Sequence, residues 1–174
     1  MNIPPFMKVW ITYSYIQQNV DYDTAYVCSV KAGMAIGSES ETAFGALINK
    51  RAVSRGIAEA FALVLNTAGI ECLVIKGIVN LANSEDEYYW NMVKLGITYY
   101  HVDAVWHIGD KGVNISRFMK CDREFIREHR WVASYPTAKI DYMFDEIDIY
   151  INERKTELWA ANIDKYLLEP SVFE

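Results

Sequence analysis

The chain lacks the features that most directly announce a compartment or a partner. No apolar run approaches the ~18 residues of a membrane span, so no membrane association is expected. Positive charge is also short: the net charge is −6 and no basic stripe stands out. Nucleic acid is therefore not an expected partner, because binding phosphates requires a cationic surface that displaces counterions. The N-terminus, MNIPPFMKVW, has neither the charged start nor the apolar core of a secretory signal. As given, the chain reads as cytoplasmic, or as a piece of a longer secreted protein.

Cysteine is scarce too. Cys28, Cys72 and Cys121 are odd in number and widely spaced, which excludes a complete disulfide framework and a metal-binding thiolate pair. Cys72, inside IECLVIKGIV, reads as a small buried hydrophobe, and structural roles are expected for all three. His101, His107 and His129 have no companion at zinc-binding spacing, and no metal or other cofactor is expected. With 52% hydrophobic residues against 23% charged, 174 residues suffice for one domain with a real core. No repeat or linker divides it.

Pro4 and Pro5 introduce a helix whose stripe is Phe6, Val9, Trp10, Tyr13 and Ile16, ending near Asp21. Residues 24–50 read as loop, with a short helix at Ala43–Ile48. A stronger helix follows from Ser54 to Ala68, with Ile57, Phe61, Val64, Leu65 and Ala68 on one face and Gly69 as its stop. Ile70–Val79 reads as a strand and Asn80–Glu87 as a polar loop. Tyr88–Lys94 and Thr98–Trp106 form a hairpin around Gly96. Arg117–Cys121 is a further strand, and Asp122–Glu128 a short helix capped by its aspartate. The acidic tail from Asp141 to Leu168 carries Leu158, Trp159, Ile163 and Leu167 at helical spacing. Helices followed by an antiparallel meander make this an α+β domain.

The hairpin places side chains. A turn at Leu95-Gly96 sets Tyr88 opposite Asp103. A turn at Gly96-Ile97, with glycine first as a type II′ turn prefers, sets Trp90 there and makes Tyr88 a diagonal neighbour. In both registers Tyr88, His101 and Asp103 share one face, because side chains alternate along a strand.

Three blocks then come into register. Val53-Ser54-Arg55-Gly56-Ile57-Ala58-Glu59-Ala60-Phe61 opens the strong helix, Gly69-Ile70-Glu71-Cys72 opens the strand after it, and Tyr88-Tyr89-Trp90-Asn91 with His101-Val102-Asp103 forms the hairpin. Together with Trp106 and the segment FMKCDREFIREHRW (Phe118 to Trp131), the run Ala43–Pro136 resembles the transglutaminase-like core of papain-type cysteine enzymes, in a bacterial form. The resemblance implies a cysteine-proteinase-like fold, with the helix that would carry the nucleophile packed on an antiparallel sheet. It also implies a cysteine, histidine and aspartate triad at Ser54, Tyr88 and Asp103, of which only the aspartate is present.

Serine alone would leave a workable triad, but tyrosine would not. A phenol with pKa about 10 is protonated at neutral pH and donates where a base must accept. The helix dipole, at about 0.3–2 kcal/mol, cannot activate a serine by itself. The expectation is a catalytically inactive domain whose cleft binds a peptide, protein or glycan, or serves as scaffold. The alternative is an active hydrolase or acyltransferase using Ser54 with His101 as substitute base. Arg55, Trp90, His101 and Trp106 are the candidate cleft residues. In the structural reading Ser54 caps its helix, Tyr88 donates to Asp103, Arg55 is the counter-ion of Asp103, and His107 and His129 are surface or structural residues.

Overall fold

The structure, a computed structural model, describes residues 3–34, 37–81, 84–105, 108, 112–132 and 134–143. Trp106, His107 and the tail positions Leu158, Trp159, Ile163 and Leu167 lie outside them. Helix α1 (Pro5–Asn19) begins behind Pro4 and buries Val9, Trp10, Tyr13 and Ile16. Strand β1 (Asp21–Tyr22) pairs in parallel with β2 (Arg51–Ala52). Between them come α2 (Thr24–Lys31), a 3₁₀ turn at Glu39–Glu41, and α3 (Ala43–Leu47).

Strand β2 runs directly into α4 (Ser54–Thr67), whose amphipathic face buries Ile57, Phe61 and Leu65 completely. Gly69, at φ +78°, turns the chain after it. Strands β3 (Cys72–Leu81), β4 (Ser84–Leu95), β5 (Thr98–Val102) and β6 (His129–Trp131) then form one antiparallel sheet in the order β5-β4-β3-β6. Helix α4 lies on β3 and β4. Asn91 ties the two layers, donating to the Ala58 carbonyl at 2.9 Å and the Leu73 carbonyl at 3.2 Å. The α+β architecture, with the Ser54 helix against an antiparallel sheet, is the expected one.

Of the two hairpin registers, the structure takes the Gly96-Ile97 turn: Leu95 pairs with Thr98 and Asn91 with Val102. Gly96 sits at φ +62°, the left-handed region that the first residue of a type II′ turn requires.

Four expectations are corrected. The loop after Asp23 contains α2, capped by the Asp23 side chain on the Tyr26 N–H at 3.0 Å. The loop at Asn80–Glu87 is a continuation of the sheet, since Asn80 pairs with Glu85 and Leu81 with Ser84. Arg117–Cys121 contributes a single bridge, Lys120 to His101, and no strand. Helix α5 (Asp122–Phe125) is preceded by Cys121 at its cap position, while the Asp122 carboxylate accepts from the Ala138 N–H at 3.0 Å.

Edge strand β6 reaches β3 because Gly77 has no side chain. A Cβ there would stand 2.3 Å from the Arg130 carbonyl oxygen and 2.5 Å from the Trp90 ring. Gly77→Ala is expected to cost about 1–3 kcal/mol through this overpacking, read from chemical-denaturation midpoints. A loss below about 0.5 kcal/mol would show that β6 shifts freely.

Candidate functional site

Ser54 is the first residue of α4, and Val53 occupies the cap position. The hydroxyl therefore does not cap the helix, contrary to its structural reading. Ser54 is 5% exposed and lines a groove of about 270 Å³, whose floor also holds Tyr22, Val53, Val79 and Tyr88. One wall is α2, through Tyr26, Val27, Val30 and Lys31; the other is the start of β4, through Asp86, Glu87 and Tyr89. Lys31 spans the opening to Asp86 at 3.2 Å.

Tyr88 connects groove to core. Its hydroxyl donates to Asp103 Oδ1 at 3.2 Å, as the shared face of the hairpin requires. Burial, and then the Asp103 charge, push the Tyr88 phenol well above its ordinary pKa. It stays protonated and donates. Asp103 is fully buried and accepts the Val105 N–H at 3.0 Å on the same oxygen. His129 Nε2 lies 3.0 Å from the other oxygen, Oδ2. A carboxylate is acceptor-only, so Nε2 carries the proton of that contact.

His129 is thus the partner that sequence reasoning left out. It is fully buried, placed by the pairing of Val79 with His129, so it is structural and not at the surface. Arg55, expected as the counter-ion, instead lies at the groove rim with Glu59 at 3.0 Å and Glu41 at 3.7 Å.

Among the four candidate cleft residues, Arg55 lines the groove. Trp90 and His101 are fully buried in the sheet's core cluster, and Trp106 is outside the described residues. His101 Nδ1 accepts the Trp90 indole N–H at 3.0 Å, leaving Nε2 to donate to Asp122 Oδ1 at 2.8 Å. Burial lowers the His101 pKa to about 4 although Asp122 pulls the other way. Both nitrogens of this neutral ring are engaged away from Ser54.

Tyr22 was the other omission. It lines the groove together with Ser54. Nothing near residue 22 in the sequence marks it, because its place comes from the β1–β2 pairing of Tyr22 with Ala52.

Cys72 is buried with its thiol pKa raised by desolvation, and Cys121 is buried too. Cys28, in contrast, is exposed on α2. Among the described residues no cluster of histidine, cysteine and carboxylate groups could hold a metal ion, and no helix is long and apolar enough to cross a membrane.

A family model, that of the transglutaminase-like superfamily, matches residues 3–104. The chain belongs to this superfamily. The transglutaminase-like match starts at α1 and so takes in α1, β1 and α2, which the resemblance over 43–136 left at its fringe. It runs past Asp103, placing the groove and the Tyr88–Asp103 pair inside the transglutaminase-like unit. Two solved structures are similar in fold. One is a proposed cysteine protease from Cytophaga hutchinsonii, at 18% identity and TM-score 0.47, covering 59% of this chain and 32% of that one. The other is a TGase, at 16% identity and TM-score 0.48, covering 80% of this chain and 37% of that one. This chain thus spans about a third of the length of each. No curated protein matches it.

Proposed function

We infer that this is a non-catalytic transglutaminase-like domain, in which Ser54, Tyr88 and Asp103 stand at the triad positions and the groove serves binding or scaffolding. The observation that carries the reading is Tyr88. A base must accept the nucleophile's proton, and this buried phenol is a donor already committed to Asp103. Ser54 then has no activating partner in His101, whose ring is held by Trp90 and Asp122. The Tyr88–Asp103–His129 chain uses the old orienting acid as a structural acceptor. What remains is a groove that combines phenols and valines with the charged Lys31, Glu41, Arg55, Asp86 and Glu87, suited to a peptide, protein or glycan with both apolar and polar groups.

The test has two arms. The unmodified chain is expected to turn over neither esters nor amides in a Ser54-dependent way; turnover abolished by Ser54→Ala would overturn the reading. The double variant Ser54→Cys with Tyr88→His is expected to gain a thiol that iodoacetamide alkylates with an apparent pKa below the ordinary value of about 8.5, as a helix N-terminus and a neighbouring imidazole produce. Cys28→Ser is carried throughout, because that thiol is exposed.

A further inference from the structure

We propose that the Trp90–His101–Asp122 line is an acid-operated latch, which fastens α5 and β6 over the sheet near neutral pH and releases them when His101 takes up a proton. The inference goes beyond the non-catalytic reading and stands whether or not Ser54 reacts. His101 is fully buried. Its ring stacks on Phe125 of α5 at 4.6 Å, 19° from parallel, with the Trp131 ring of β6 4.7 Å away. Both nitrogens have fixed roles: Nδ1 accepts the Trp90 indole N–H at 3.0 Å, and Nε2 donates to Asp122 Oδ1 at 2.8 Å. The indole only donates and the carboxylate only accepts, so this arrangement admits one neutral tautomer.

A second proton has one place to go. It must enter at Nδ1, where the new N–H would face the indole N–H, donor against donor. Both rings are fully buried, so the imidazolium has to leave the indole to find an acceptor. The Asp122 side chain, 30% exposed, gives the proton a route from solvent. Among the described residues, the titratable side chains facing His101 are Asp122 from α5 and His129 from β6, with Asp103 beyond His129. Strand β4 presents only the Trp90 indole. Lys120 meets His101 through backbone hydrogen bonds at 2.8 and 2.9 Å, its ammonium lying 4.0 Å from Asp141.

The released elements are small. Helix α5 has four residues, and β6 pairs with β3 through three. They move together because Phe125 packs on both imidazoles, His101 at 4.6 Å and His129 at 4.7 Å. His129 also contacts Asp103, the acceptor that holds Tyr88 at the groove floor. Acid therefore reaches the groove through β6. A released imidazole titrates near the ordinary value of about 6.5, whereas burial brings the closed one down to about 4. The open form thus binds the proton more tightly. The latch is at full strength above about pH 6.5 and weakens as pH falls toward 4.

Amide hydrogen exchange of the natural chain, corrected for intrinsic rates, measures the opening. The Ile126 N–H, bonded to the Asp122 carbonyl, and the Asn80 N–H, bonded to the Glu128 carbonyl, report the latch layer. Their opening constants are expected to rise by about tenfold per pH unit between about pH 6 and 4.5. They are also expected to stay about tenfold or more above those of Phe61 and Leu65 in α4, which report unfolding of the whole domain. His101→Gln offers an amide oxygen to Trp90 and an amide N–H to Asp122 with nothing to protonate, and is expected to abolish the rise. Opening constants that ignore pH, that equal those of α4, or that keep their rise in the glutamine variant each overturn the latch. If that variant does not fold, the His101 ring signals of the natural chain decide. Protonation in the same step as the Ile126 and Asn80 opening is expected; a protonated ring beneath protected amides overturns the latch.

Discussion

Asp103→Ala is expected to destabilise the protein by about 3–5 kcal/mol, as removing one member of a buried polar network does. The carboxylate is fully buried and receives Tyr88, Val105 N–H and His129 at 3.0–3.2 Å. Alanine would strand these donors where water does not replace the acceptor. Asp103→Asn separates the causes. Its oxygen still accepts from Val105 and Tyr88, and its amide can face His129 if that ring changes tautomer, so a smaller cost of about 1–3 kcal/mol is expected. Guanidinium midpoints of the unmodified, alanine and asparagine chains are the measurement. A loss below about 1 kcal/mol for alanine would mean that Asp103 contributes little to the fold.

Trp90→Ala is expected to cost a comparable 3–5 kcal/mol, about the value for deleting a core tryptophan. Trp90 is fully buried among His129 at 4.9 Å, Trp131 at 5.8 Å, His101 at 6.2 Å and Phe125 at 6.4 Å between ring centroids. Its indole N–H also fixes the His101 tautomer. Trp90→Phe keeps much of the packing but leaves His101 Nδ1 without its donor, for which about 1–3 kcal/mol is expected. The same denaturation midpoints, with near-ultraviolet circular dichroism for aromatic packing, check both. A loss for phenylalanine as large as that for alanine would place the stabilisation in the hydrogen bond instead of the ring.

These two side chains also mark how far the sequence could be read. The alternation of strands placed Tyr88, His101 and Asp103 on one face whichever turn formed, and the structure bonds Tyr88 to Asp103. It could not show that this face divides. Tyr88 opens to the groove, whereas Trp90 and His101 sit under β6 and α5. That division depends on His129–Trp131 crossing Gly77–Val79, a pairing of residues about 50 apart that no local pattern encodes. His129 was hidden for the same reason. Helix α2 escaped differently: it buries no residue completely, so TAYVCSVK carries no core stripe to detect. Ser54 was misplaced by one position, because a serine before an apolar helix looks like its cap while Val53 already fills that place.

The parallel β1–β2 ladder gives the groove two mechanically different sides. Tyr22 and the start of α4 share one clamped frame, so the floor behaves as a single piece. Helix α2 rests above it through peripheral polar contacts: Tyr26 to Glu41 at 2.9 Å, and the exposed Lys31–Asp86 pair. Such surface contacts are individually weak and salt-sensitive. Substitutions in α2 can therefore reshape one side of the groove without disturbing the backbone frame that holds the start of α4.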